Sequence, residues 1–221
     1  MILYLSEKFC RLKSLLRMNE LSTEKRSTVR TAFLLNIFLI SMYIFFNYII
    51  SGISHEKTKI MNMRMLELMK AGALSPIFYS MHTFPGSVVW SFFFLFIYEV
   101  YFLISAYILM FVFGEKERSF LRLYSIFSIS FAGFLLSLFP LLLYGILFPD
   151  SWRDSALRIH LYQLLHLATF ISGVYLFGSS FVRLCRVHFS QNLGRALITW
   201  IFPNFLILYW ISSVFRTPYE M

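Results

Sequence analysis

Charge is scarce in this sequence. Asp, Glu, Lys and Arg make up 14% of the 221 residues, where an ordinary soluble domain carries about 25%. That shortage excludes a hydrated globular surface over most of the chain. Cysteine is scarce as well. Cys10 and Cys185 form neither a CxxC nor a zinc spacing, which excludes a disulfide framework and a cysteine metal site. Both are expected to be free thiols at the cytoplasmic face. The HExxH, GxSxG, GxGxxG and Walker patterns are all missing, and with them the reactions those spacings support. Internal repeats are missing too, as are the matched halves of many transporters. No small-residue cleavage site follows a short apolar core near the start, so the first apolar segment is expected to stay as an uncleaved anchor.

Apolar surface is what the chain has. Hydrophobic residues make up 58% and aromatic residues 20%, with a mean hydropathy of +0.69. About 20 apolar residues are needed to cross a bilayer as a helix. Five stretches meet that length: 31–50, 88–113, 120–148, 157–182 and 196–215. The expected fold is an all-α, polytopic membrane helix bundle occupying 31–215. A basic cytoplasmic segment, 1–30, precedes it, and a short external tail, 216–221, follows it.

The net charge of +9 has a place in this layout. With five spans and the near-boundary Arg122 assigned to the same side, thirteen of the 20 Lys and Arg fall on the side of the amino terminus, loop 114–119 and loop 183–195. The positive-inside bias then predicts a cytoplasmic amino terminus and an external or lumenal carboxyl terminus. The membrane would be the inner or plasma membrane in a bacterium. Anionic lipid is the expected partner of the basic groups. No soluble basic domain is present to bind nucleic acid.

Two segments outside the spans have a helical pattern. In MILYLSEKFCRLKSLLRM, Ile2, Leu5, Phe9, Leu12 and Leu16 share a stripe. Lys8, Arg11, Lys13 and Arg17 would then sit at the membrane surface. Docking of this helix on a partner or on the bundle is the alternative. In the first external loop, KTKIMNMRMLELMKAG puts Met61, Met65, Leu68 and Met69 on one face. That face suits an adaptable groove or a helix lying on the membrane. Pro76, Pro85 and Gly86 then break the chain before the second span.

Glu99 stands out because it is the sole acidic residue in any of the five membrane cores. A carboxylate at that depth costs several kcal/mol, so it is protonated or faces the bundle interior beside a donor. Glu99 and His166 are expected within about 3 Å of the same depth, from their places in spans that start on one side. Asn204 comes to mid-depth from the other side. These three residues form the expected polar cluster, either as a proton-sensitive or substrate-binding site or as a register-fixing contact. His160 and Gln163 are secondary polar positions on the span of His166. The two histidines are six residues apart and lack a third ligand, so no metal site is expected. His55, His82 and His188 fall in or near loops and are expected to be solvated, as is the charge run EKER at 115–118.

Small residues four apart let helices approach closely. Ser128 and Ala132, Gly133 and Ser137, and Ala168 and Ser172 have that spacing. Pro140 and Pro203 remove backbone donors and are expected to kink their helices.

The two stretches ERSFLRLYSIFSISFAGFLLSLFPLLLYGILF and HLATFISGVYLFGSSFVRLCRVHFSQNLGRALITWIFPNFLILYWI carry a resemblance. They follow a basic amino-terminal segment, a first span and a long helix-bearing external loop. The layout over roughly 30–215 resembles the Yip1 family of five-span integral membrane proteins. The DLYGP and YGP motifs of eukaryotic members are absent before the first span, so the resemblance is to the bacterial type. It implies a small membrane protein with no catalytic residue to carry over.

The expected function is a Yip1-like scaffold or interaction protein without catalytic activity or cofactor. Its partners would be the lipid bilayer and other membrane proteins or further copies of itself. A transporter or permease component with a polar path at Glu99, His166 and Asn204 is the first alternative. A membrane-embedded enzyme of lipid or envelope metabolism is the second. The topology has a direct test. A cysteine introduced as Ser213→Cys should react with an impermeant maleimide from the outer face, and labelling from the cytoplasm alone would reverse the orientation.

Overall fold

The computed structural model describes residues 26–53, 55–116, 118–148 and 156–216. The amino-terminal amphipathic segment of the sequence reading lies outside them. Every element among the described residues is helical: α1 (Arg26–Ile53), α2 (His55–Lys70), α3 (Pro76–His82), α4 (Gly86–Val112), α5 (Phe120–Ser137), α6 (Phe139–Leu147), α7 (Ala156–His188) and α8 (Leu193–Arg216). Four helical segments are long and apolar enough to cross a membrane: Val29–Ile53, Gly86–Val112, Phe120–Leu147 and His160–His188. The apolar part of α8 among the described residues, Leu193–Tyr209, is shorter. Large apolar side chains such as Phe38, Phe96, Ile108 and Phe111 lie exposed along these helices. Exposed apolar surface on that scale suits lipid and not water.

Two compact units divide the described chain. One holds 26–35, 101–130 and 178–216; the other holds 36–100, 131–148 and 156–177. In the first unit, Phe102, Ala106 and Met110 of α4 are fully buried, as are Leu123, Ile126 and Phe127 of α5 and Phe181 and Cys185 of α7. On each helix these recur at three- and four-residue steps, which is one helical face. The Phe102 ring lies 5.1 Å from Phe127 and meets Phe181 edge-on at 5.2 Å. The Cys185 thiol is free. Gly178 brings α8 close, since a Cβ there would stand 2.7 Å from Trp200.

Helix ends in this unit are closed by specific groups. Gly114 takes a φ of +68°. Its N–H reaches Phe111 O at 3.0 Å and that of Glu115 reaches Met110 O at 3.2 Å, so a glycine-closed Schellman turn ends α4. Arg195 donates to Phe113 O at 3.4 Å and to Glu115 Oε1 at 3.3 Å. Arg122 donates to His188 O at 3.2 Å. Both guanidinium groups therefore sit at carbonyl ends of helices, where a cation is favoured. These contacts correct two expectations. His188 and Glu115 are buried, because each lies at a helix end that an arginine from another element covers.

In the second unit, α5 and α7 meet through small residues. Ser137 Oγ bonds to Thr169 O at 3.1 Å. A Cβ on Gly173 would collide with Ser137 Oγ and stand 2.8 Å from Phe134. Gly133 and Ser137 thus pack as their spacing suggested. On α7, however, the packing face carries Thr169 and Gly173, while Ala168 and Ser172 are exposed. The third apolar stretch is also interrupted earlier than its proline. Leu138 N bonds to Leu135 O at 3.2 Å, a tightened turn that separates α5 from α6. Pro140 then falls in the first turn of α6, where its missing N–H leaves no gap. Pro203, by contrast, lies inside the continuous α8. The expected loop helix is present as α2, followed by α3, which Ser75 caps by accepting from Phe78 N at 3.3 Å. Asn62 of α2 grips the Phe84 backbone twice, at 3.0 and 3.1 Å. Trp90 of α4 donates to Ser80 Oγ of α3 at 2.9 Å.

The close approach at Gly173 gives a packing prediction. Gly173→Leu should lower stability by about 1–3 kcal/mol through overpacking. Gly52→Ala, where the added methyl group meets nothing within 4 Å, should be neutral or slightly stabilising. Thermal unfolding in detergent reads both.

Candidate functional site

Glu99 sits at the midpoint of α4, about 20 Å along the axis from either end of Gly86–Val112. It belongs to the buried stripe of that helix and is 7% exposed. Facing it in the same unit is Asn36 of α1, 2% exposed and followed by the buried Leu39 and Ile40. These positions are three and four residues on from Asn36, so they share its face. Asn36 Nδ2 donates to Glu99 Oε1 at 2.7 Å. A charge-free amide therefore meets the carboxyl group. The other polar atom of that amide, Asn36 Oδ1, is buried and has no hydrogen-bond partner. Ser128 Oγ, Ser130 Oγ and the Gln191 amide share this condition among the described residues, but Asn36 Oδ1 stands beside a carboxyl group, which can carry a donor when protonated.

His166 and Asn204 are the expected neighbours of Glu99. The hydrogen bond to Glu99 comes instead from Asn36. His166 is exposed on α7, as are His160 and Gln163. Asn204 belongs to the other unit, where its Nδ2 donates to Trp200 O at 2.7 Å, one turn back along α8. Asn36 was missed, although a signal existed. It interrupts the apolar run TAFLLNIFLI in the first span, and a polar side chain there needs a partner as much as Glu99 does. Lys8, Arg11, Lys13 and Arg17 lie outside the described residues.

The exposed face of α7 forms a second polar locality. Tyr162, Gln163, His166, Leu167 and Phe170 line a cavity of ≈ 400 Å³. The Tyr162 ring lies 5.7 Å from that of Tyr144 on α6 and 6.4 Å from that of His166. Tyr162 thus anchors this end of α7 to α6, and Gln163 and His166 stay outward. Among the described residues, no group of three or more His, Cys, Asp and Glu side chains is placed to hold a metal ion.

Comparison of the chain with family models, with curated proteins and with solved structures finds no match.

The Asn36–Glu99 pair predicts a definite mutational pattern. Asn36→Leu strands a buried carboxyl group without its donor and should cost about 1–3 kcal/mol. Adding Glu99→Leu to that variant removes the stranded group and should restore most of the loss. Unfolding midpoints of the two single variants and the double variant measure this coupling, and strictly additive losses would show that the two side chains act independently.

Proposed function

We propose that this protein is a five-span membrane scaffold of the Yip1 kind, with a cytoplasmic amino terminus and no catalytic role, that works by binding other membrane helices. Two things support the five-span layout. Four helical segments have spanning length, and α8 is 24 residues long with an apolar body. With α8 as the fifth span, the Lys and Arg bias puts the Arg122, Arg183, Arg186 and Arg195 end in the cytoplasm.

One observation carries the interaction role: polar side chains are exposed within a span. His166 lies about 9 Å along the axis from the start of the span His160–His188. It shares an exposed face with Gln163, Leu164, Leu167 and Phe170. An imidazole and a carboxamide left to lipid lose the hydrogen bonds that water gave them. Against another membrane helix they regain them, and such polar contacts hold helix pairs together in bilayers. The apolar members of the same face supply the packing surface. A polar path would instead call for His166 to turn inward toward Glu99, and Glu99 has Asn36 as its donor.

Crosslinking in native membranes tests the assignment. Leu167→Cys, on this face, should give disulfide or maleimide adducts with a partner, either a second copy or another protein. Ile104→Cys, exposed on α4, should give none. The joint substitution Gln163→Leu and His166→Leu should weaken co-purification of the partner by roughly tenfold, the factor set by about 1.4 kcal/mol of lost polar contact. Equal crosslinking from both cysteines would reject α7 as the interaction face.

A further inference from the structure

We propose that Glu99 holds a proton at neutral pH and closes a two-bond ring with the Asn36 carboxamide, making the pair a proton-binding site at the midpoint of α4. The inference goes beyond the scaffold reading and does not depend on it.

The orphan oxygen supplies the argument. A primary carboxamide offers two N–H donors and one carbonyl acceptor on the same planar group. An ionised carboxylate offers acceptors and no donor. It therefore satisfies the amide nitrogen of Asn36, as the 2.7 Å bond shows, and can never satisfy the oxygen. Asn36 Oδ1 is left without a partner in a residue that is 2% exposed, so water does not supply one from the surface. A neutral carboxyl group differs by one O–H, and that donor is what the orphan oxygen lacks. Acid and amide are then complementary: N–H to the acid carbonyl, acid O–H to the amide carbonyl. Both polar edges are satisfied and no net charge is buried.

The surroundings point the same way. The donor that meets Glu99 is neutral. The acidic Glu115 pairs with Arg195 in the other unit. On α1, Leu39 and Ile40, which share the face of Asn36, are buried and apolar. The site takes a proton as its ligand, and the acid form is the one that joins α1 to α4 by two bonds instead of one.

Infrared spectroscopy at neutral pH tests this on the intact protein. The wild-type spectrum should contain a protonated-carboxyl C=O band that shifts in D2O and is missing in Glu99→Gln. Glu99→Gln puts an amide N–H where the acid O–H stood, and its unfolding midpoint should match the wild type. Glu99→Met, similar in length but without polar atoms, should unfold earlier. In Asn36→Leu the acid band should persist and move to higher frequency, because its carbonyl has lost a donor. A wild-type spectrum with carboxylate bands alone would overturn the proposal, and that measurement needs no variant to fold. An acid band that stays unmoved in Asn36→Leu would overturn the ring.

Discussion

A carboxyl group at the midpoint of a 27-residue apolar helix has to be met by another helix, because hydrocarbon offers it nothing. This constraint selects which face of α4 turns inward. Glu99, Phe102, Leu103, Ala106 and Met110 are all buried, while Phe96, Ile97, Ile104, Ile108 and Phe111 on the other flank are exposed. Both sets are apolar apart from Glu99. Hydrophobicity therefore gives no preference for either face in lipid, and the polar residue supplies the asymmetry. Asn36 does the same for α1. A pair worth a modest amount in bonding energy thus has a large effect on orientation.

Close packing then fixes what the polar pair orients. Between α5 and α7, Ser137 seats against Thr169 and Gly173 with no room for a methyl group. In a bilayer such contacts replace the hydrophobic drive that assembles a soluble core, since lipid chains are as apolar as Leu. The serine hydroxyl satisfies itself on backbone carbonyls, so the small polar residue adds a bond without a buried orphan. Helix ends follow a related rule. The carbonyls of Phe113 and His188 are exposed by chain termination and are taken up by Arg195 and Arg122.

Much of this was legible in one dimension. Long apolar runs gave the helices that now measure as spans, because length and composition alone set that property. The small-residue spacing gave Gly133 and Ser137. What remained hidden has a common cause. Position along a helix is written in the sequence, but rotation about its axis is not. Ala168 and Ser172 share the small-residue spacing with the neighbouring pair Thr169 and Gly173, and one residue of rotation, about 100°, decides between them. The same ambiguity placed His166 beside Glu99 at equal depth, although its side of α7 is outward. Depth along the helices does not decide which side chains become neighbours. Burial of Glu115 and His188 was unreadable for a different reason, since it comes from arginines far along the chain.

Polar residues in the helices therefore divide by how they are satisfied, and the division carries the functional argument. Ser137 and Thr169 are satisfied by backbone, Asn204 by its own helix. None of these needs anything further. Asn36 and Glu99 share one bond, and Asn36 Oδ1 is left without a partner. Gln163 and His166 face outward on an otherwise apolar surface. A structural polar group is one whose bonds are closed within the chain. Ser128 and Ser130 of α5 also carry buried hydroxyls without a partner, so an orphan atom alone does not mark a site; at Asn36 the orphan stands beside a carboxyl group, and at α7 the polar groups stand on an outward apolar face.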